Sequence, residues 1–68
     1  MVRSDILRGK IAEKGLNIRK VADALGITPK TLSDKLKKGV FNTNEAEKLV
    51  VLLAIENPER IFFAEDVS

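Results

Sequence analysis

Residues 17–36 read NIRKVADALGITPKTLSDKL, and this stretch decides the fold. In its first half, the apolar residues recur at positions i, i+3, i+4 and i+7, the spacing of one buried face of a short α-helix: Ile18, Val21, Ala22 and Leu25. Gly26 follows at the position where a left-handed backbone ends a helix without steric cost. A second helix is expected after Thr28, with Pro29 at its first position. The stretch therefore predicts two short helices joined by a tight turn.

Three helix starts along the chain share one pattern: an apolar residue, a capping residue, and an apolar residue at the fourth helical position. The three sets are Leu16, Asn17 and Val21; Ile27, Thr28 and Leu32; and Phe41, Asn42 and Ala46. Each cap side chain accepts a backbone N–H that has no partner within its helix, which contributes about 1 kcal/mol. Glu45 predicts a capping box with Asn42. With further starts at Ser4 and Asn57, these signals predict five helices, at about 4–14, 18–25, 29–37, 43–54 and 58–63, and no strands.

The apolar face of each helix defines the expected core. Its predicted members are Leu7, Ile11, Ile18, Val21, Ala22, Leu25, Leu32, Leu36, Ala46, Leu49, Val50, Leu53, Ile61 and Phe62. Ala22 is expected where helices two and three cross, because a larger side chain would push the helices apart. Helix three offers the core only Leu32 and Leu36, so its other faces are left to solvent or to a partner. We expect residues 1–68 to form one all-α domain.

Composition excludes several classes of chemistry. The chain has no cysteine and no histidine, which removes disulfides, thiol catalysis and the commonest zinc ligands. Its longest apolar run, residues 49–55, is too short to span a bilayer, and no apolar signal segment follows the start, so a cytoplasmic protein is expected. The later acids are expected as solvated or capping charges on helix surfaces: Glu45, Glu47, Glu56, Glu59, Glu65 and Asp66. We expect no enzyme activity, cofactor, metal or small-molecule substrate, and no membrane partner.

Charge is divided unevenly along the sequence. Residues 1–38 carry a net charge of +6, whereas residues 39–68 carry −4. A polyanion would be attracted to the first part and repelled by the second. A solvated surface with no binding role is the alternative explanation of this division.

Helix three is the predicted probe of a DNA major groove, because its polar side chains are short donors, acceptors and cations that suit base edges and phosphates. The candidates around this helix are Thr28, Pro29, Lys30, Thr31, Ser33, Asp34 and Lys37. A phosphate is expected at the start of helix two, beside Asn17, Arg19 and Lys20. A second is expected at Lys38, Gly39 and the backbone N–H groups around Phe41 and Asn42. Helix–turn–helix geometry also occurs in proteins that never contact DNA, so a merely solvated face is the alternative.

The stretch resembles the Cro/CI-type helix-turn-helix domain of phage repressors and related bacterial regulators. The matching residues are Val21-Ala22, Leu25-Gly26-Ile27 and Leu32, and residues 7–11 together with Phe41, Leu49, Leu53 and Ile55 are similar to short phage-type members. The resemblance implies a five-helix bundle of the lambda-repressor-like type that binds double-stranded DNA at a palindromic operator. It also implies a homodimer, a role as a transcriptional repressor and a place on the nucleoid. The chain departs from the family pattern at Ile18 and Pro29, whose side chains cannot form hydrogen bonds.

Two alternatives remain open at this point. The same fold serves protein-interaction modules, such as an antirepressor or a partner of another regulator, that bind no DNA. In the tail, Phe63 and Val67 are either an exposed dimer contact or a cap on the small core.

Overall fold

The computed structural model describes residues 2–62 of the 68-residue chain, and these form five α-helices without a strand. The helices are α1 (Ser4–Glu13), α2 (Ile18–Leu25), α3 (Pro29–Lys38), α4 (Thr43–Leu52) and α5 (Pro58–Phe62). The predicted all-α, five-helix fold with a helix-turn-helix at helices two and three is thus confirmed. The largest difference in length is at α4, which was predicted to reach residue 54. It ends earlier because Ala54 adopts a positive φ of 51°, which cannot continue a right-handed helix. Residue 63, the predicted end of α5, lies outside the described residues.

Side-chain caps begin three of the helices as predicted. The side chain of Asn17 accepts the N–H of Lys20 at 2.9 Å, and that of Thr28 accepts the N–H of Thr31 at 3.1 Å. Asn42 and Glu45 form the predicted capping box at the start of α4. These local bonds fix where α2, α3 and α4 begin.

α1 begins at Ser4 as predicted, but without a side-chain cap. Arg3 occupies the capping position of α1 without a side-chain hydrogen bond, and Ser4 is the first residue of the helix. The Ser4 hydroxyl instead donates to the carbonyl oxygen of Leu36 at 2.5 Å. It therefore joins the start of α1 to the last turns of α3, where a helix carbonyl would otherwise need a partner.

The buried core matches the predicted apolar faces closely. Its members are Leu7, Ile11, Val21, Ala22, Leu25, Leu32, Leu36, Leu49, Leu53, Ile55, Ile61 and Phe62. Ile18, Ala46 and Val50 were predicted as core but are only partly buried against it. Ile18 is the first residue of α2, whereas Ala46 and Val50 lie at one edge of the buried stripe of α4. α2 packs against both α3 and α4, and α1 packs against α5. The N-terminal segment closes this arrangement, since the N–H of Val2 donates to the carbonyl of Gly39 at 3.0 Å.

Two exposed glycines provide a matched test of backbone conformation. A Cβ added at Gly9 or at Gly26 would meet no atom within 4 Å, but only Gly26 has a positive φ, of 74°. We expect Gly9→Ala to stabilise the protein by about 0.5–1 kcal/mol, because glycine inside a helix loses more conformational freedom than alanine. We expect Gly26→Ala to destabilise it by about 1–2 kcal/mol, through left-handed strain alone. Urea unfolding of both variants checks the pair, and changes of the same sign would contradict the assigned turn.

Candidate nucleic-acid interface

A three-residue turn sets the angle between α2 and α3. Gly26 ends α2 with φ 74° and ψ 28°, a left-handed conformation, and its N–H returns to carbonyl groups of the last turn of α2. The N–H of Ile27 donates to the carbonyl of Ala22 at 3.0 Å, and Thr28 then caps α3. The side chain of Ala22 is fully buried, in agreement with a close approach of the two helices. These features together form a helix-turn-helix.

α3 contacts the core along a narrow line and exposes the rest of its surface. Only Leu32 and Leu36 of this helix are buried, at 0% and 2% exposure. The predicted contact residues described by the structure are all exposed except Ser33, which is half-buried: Asn17, Arg19, Lys20, Thr28, Pro29, Lys30, Thr31, Asp34, Lys37, Lys38 and Asn42. The structure thus leaves most of the predicted contact residues of α3 and of the start of α2 accessible to a partner. The two predicted dimer contacts, Phe63 and Val67, lie outside the described residues.

Two threonine hydroxyls at the start of α3 are joined to each other. The hydroxyl of Thr28 accepts the N–H of Thr31 and donates to the Thr31 hydroxyl oxygen at 2.8 Å. The Thr28 oxygen thus caps the helix as an acceptor, while the Thr28 O–H is occupied by the Thr31 hydroxyl. The hydroxyl hydrogen of Thr31 is then the one that is directed to an outside acceptor.

Three backbone N–H groups after α3 are used inside the protein. The N–H groups of Gly39 and Val40 both donate to the carbonyl of Lys35, at 2.8 and 3.2 Å, because left-handed Gly39 closes the helix. The N–H of Asn42 donates to Glu45 at 3.0 Å in the capping box. The predicted phosphate contact at this end therefore cannot use the N–H groups of Gly39 and Asn42, and it stays a prediction for Lys38 and the N–H of Phe41.

Exposed cations lie on α3 and at the start of α2. Within residues 2–62, no carboxylate oxygen lies within 4.0 Å of the side-chain nitrogen atoms of five of them: Arg19, Lys20, Lys30, Lys37 and Lys38. The ion pairs in that range involve other basic residues: Arg3 with Asp5, Lys10 with Glu13, and Lys35 with Glu45. The region therefore presents a positive surface with one exposed acid on α3, Asp34.

Glu45 is the predicted capping residue of α4, but its predicted place on the surface with the other acids is wrong. Glu45 as a whole residue is 8% exposed, and it is the one buried charged residue among those described. One of its oxygens, Oε1, lies 3.1 Å from the Lys35 ammonium nitrogen and also accepts the Asn42 N–H. The sequence signalled the capping box but not the ion pair, because positions 35 and 45 lie on different helices.

Other classes of site find no support in the described part of the chain. No group of three or more His, Cys, Asp or Glu side chains is placed there to hold a metal ion. None of the helices there has the length and apolar character needed to cross a bilayer.

Comparison with known proteins gives a family match over the helix-turn-helix. Residues 10–39 match the family model of bacterial regulatory proteins of the Fis family. This segment runs from within α1 to the residue that caps α3, so it includes both helices and the turn. The match supports a DNA-binding helix-turn-helix and, in general, DNA-binding transcription regulation. It is not specific to the Cro/CI type, so that relationship stays a prediction. Neither the curated proteins nor the solved structures gave a match.

Proposed function

We propose that the chain is a sequence-specific regulator that inserts α3 into the major groove of double-stranded DNA. The observation that carries this proposal is the surface of α3, which is anchored by Leu32 and Leu36 alone and exposes its polar residues. A helix held this way can enter a groove about 12 Å wide without loss of core contacts. We expect no catalytic activity, cofactor or small-molecule substrate.

The contacts divide into two kinds. We assign the contacts with base edges to the first turns of α3. There Lys30 can donate hydrogen bonds to the acceptors of guanine, and Asp34 can accept one from the amino group of cytosine. Thr31 and Ser33 supply short hydroxyl groups there, and Pro29 supplies an apolar contact. The phosphate contacts are assigned to cations and capping residues at the edges of this surface: Asn17, Arg19, Lys20, Lys37, Lys38 and Asn42. Thr28 acts indirectly, because its hydroxyl leaves the Thr31 hydroxyl hydrogen directed outward. The carboxamide nitrogen of Asn17 and of Asn42 is the donor, since each side-chain oxygen already accepts a backbone N–H.

We further propose a Cro/CI-like repressor that acts on the nucleoid as a homodimer. One copy of so small a helix-turn-helix covers few base pairs, whereas two copies related by a two-fold axis would cover a palindrome with half-sites about 34 Å apart. The paired surface has to lie away from the basic surface, and the acidic part of the chain after residue 38 meets that condition. Phe63 and Val67 are the proposed apolar contacts. Sedimentation across a concentration series tests this assembly, and a monomer bound one-to-one to a non-palindromic site would exclude it.

Selection of bound sequences from a random DNA pool at near-physiological salt tests the function itself. We expect one sequence motif to be enriched, with palindromic symmetry if two copies bind. A chain that enriches no sequence but retains a protein partner would instead favour a protein-interaction module on the same fold, such as an antirepressor.

Replacement of Asp34 by alanine tests whether α3 reads bases. We expect the preference for cytosine at one position of the selected site to fall by about 1–3 kcal/mol, because a carboxylate accepts from the cytosine amino group. Binding titrations on duplexes that differ at that position measure the change. Glu47→Ala, which removes the same charge from an exposed position of α4, is the control and should leave the preference intact. A uniform rise in affinity for all sequences would show that Asp34 only repels phosphate.

A further inference from the structure

The side chain of Glu45 joins the helix that would enter DNA to the helix behind it. Its Oε1 atom accepts the backbone N–H of Asn42 at 3.0 Å and lies 3.1 Å from the ammonium nitrogen of Lys35. The Glu45 side chain is only 10% exposed and that of Lys35 is 28% exposed. Two charges in such a place are screened much less by salt than the exposed pairs of this protein.

Lys35 is held at both its backbone and its side chain. Its carbonyl oxygen accepts the N–H groups of Gly39 and Val40, which end α3. Its ammonium group reaches back to the start of α4. On the helix surface, Lys35 lies between Thr31, one turn before it, and Lys38, three residues after it. A shallow depression of about 310 Å³ is lined by these three residues together with Asp34 and Val40. An ammonium group released from Glu45 would thus lie at the edge of the proposed DNA-binding surface.

We propose that Glu45 is a positioning residue for DNA recognition, which fixes the end of α3 against α4 and withholds the charge of Lys35 from the DNA backbone. This inference rests on the proposed function. Because phosphate contacts carry no sequence information directly, one cation fewer at the phosphates raises the share of binding that depends on bases. Lys35 is therefore a basic residue of the recognition helix that contributes to the fold and not to DNA affinity.

Four proteins test this inference: the wild type, Lys35→Gln, Glu45→Gln and the double variant. Glutamine at position 45 keeps the capping box, since Glu and Gln both serve at that position, but it removes the negative charge. Glutamine at position 35 keeps a donor for Glu45 but removes the ammonium group. The measurement is the slope of log K against log salt concentration for a labelled duplex, because this slope changes by about 0.9 for each phosphate neutralised.

We expect the wild type and Lys35→Gln to have the same slope. Glu45→Gln should be steeper by about 0.9, because Lys35 is then released to a phosphate, and the double variant should return to the wild-type slope. The ratio of specific to non-specific affinity should fall in Glu45→Gln. Two controls frame these changes. Lys38→Gln should lower the slope by about 0.9, and Glu47→Gln, at an exposed position of the same helix as Glu45, should leave it unchanged.

A merely structural role for the ion pair would change thermal stability without this pattern of slopes. If Glu45→Gln and Glu47→Gln have equal slopes while the wild type binds DNA with a steep slope, the inference is overturned and the proposed function stands. If the wild type binds no DNA, the proposed function fails and takes the inference with it. If Glu45→Gln does not fold, the slope of Lys35→Gln alone tests the inference. A slope equal to that of the wild type supports it, whereas a decrease equal to that of Lys38→Gln would show that Lys35 already contacts phosphate and would overturn it.

Discussion

Replacement of Leu32 by alanine is expected to lower the free energy of unfolding by about 2–5 kcal/mol, a large part of the stability of so small a domain. Leu32 is fully buried, and it is one of the two residues by which α3 contacts the core. The lost methyl groups leave a cavity, and the total stability of a small domain is itself only about 5–15 kcal/mol. Thermal and urea unfolding followed by circular dichroism measure the loss.

Leu52→Ala is the matched control for Leu32→Ala. Leu52 is the last residue of α4 and is half-buried, so the same truncation there removes less buried area and should cost clearly less. The DNA titration adds a second readout. We expect Leu32→Ala to lose binding together with stability, whereas Lys30→Ala should lose binding with an unchanged melt. Equal melting temperatures for the two leucine variants would contradict the proposed anchoring of α3.

The affinity for DNA is expected to fall about 500-fold for each bound copy of the chain when monovalent salt rises from roughly 50 to 200 mM. The figure assumes that the five cations of the proposed DNA-binding surface each neutralise one phosphate, which gives a slope of about −4.5 in log K against log salt. These residues are Arg19, Lys20, Lys30, Lys37 and Lys38. Fluorescence anisotropy of a labelled duplex at four or more salt concentrations measures the slope.

Lys38→Ala should make this slope shallower by about 0.9 and weaken binding to all sequences alike, because a phosphate contact carries no base preference. Lys48→Ala is its control. Lys48 is also an exposed lysine, but it lies on α4 in the acidic part of the chain. Its loss should leave the slope unchanged. A flat salt dependence of the wild type, or equal effects of the two lysine variants, would show that the basic surface does not bind the DNA backbone.

Local sequence rules predicted the helices well, because the interactions that begin and end a helix join residues a few positions apart. The caps at Asn17, Thr28 and Asn42 each bond a backbone N–H three residues later, so the sequence contains both partners within one short window. The apolar spacing identified the buried side of α2 and of α3 for the same reason. The same spacing predicted which polar residues of α3 are accessible, because they are the residues that lie outside its apolar stripe.

Tertiary structure alone decided how those helices are joined. The Ser4 hydroxyl bonds the carbonyl of Leu36, 32 positions away, and so replaces the local cap that serine at a helix start predicts. Glu45 binds both its own helix cap and Lys35, which turned an expected surface acid into a buried one. The sequence by itself thus determined the five helices and the face that each one buries. It did not determine these long-range partners, because a hydrogen bond or ion pair between distant positions depends on helix packing that no local spacing encodes.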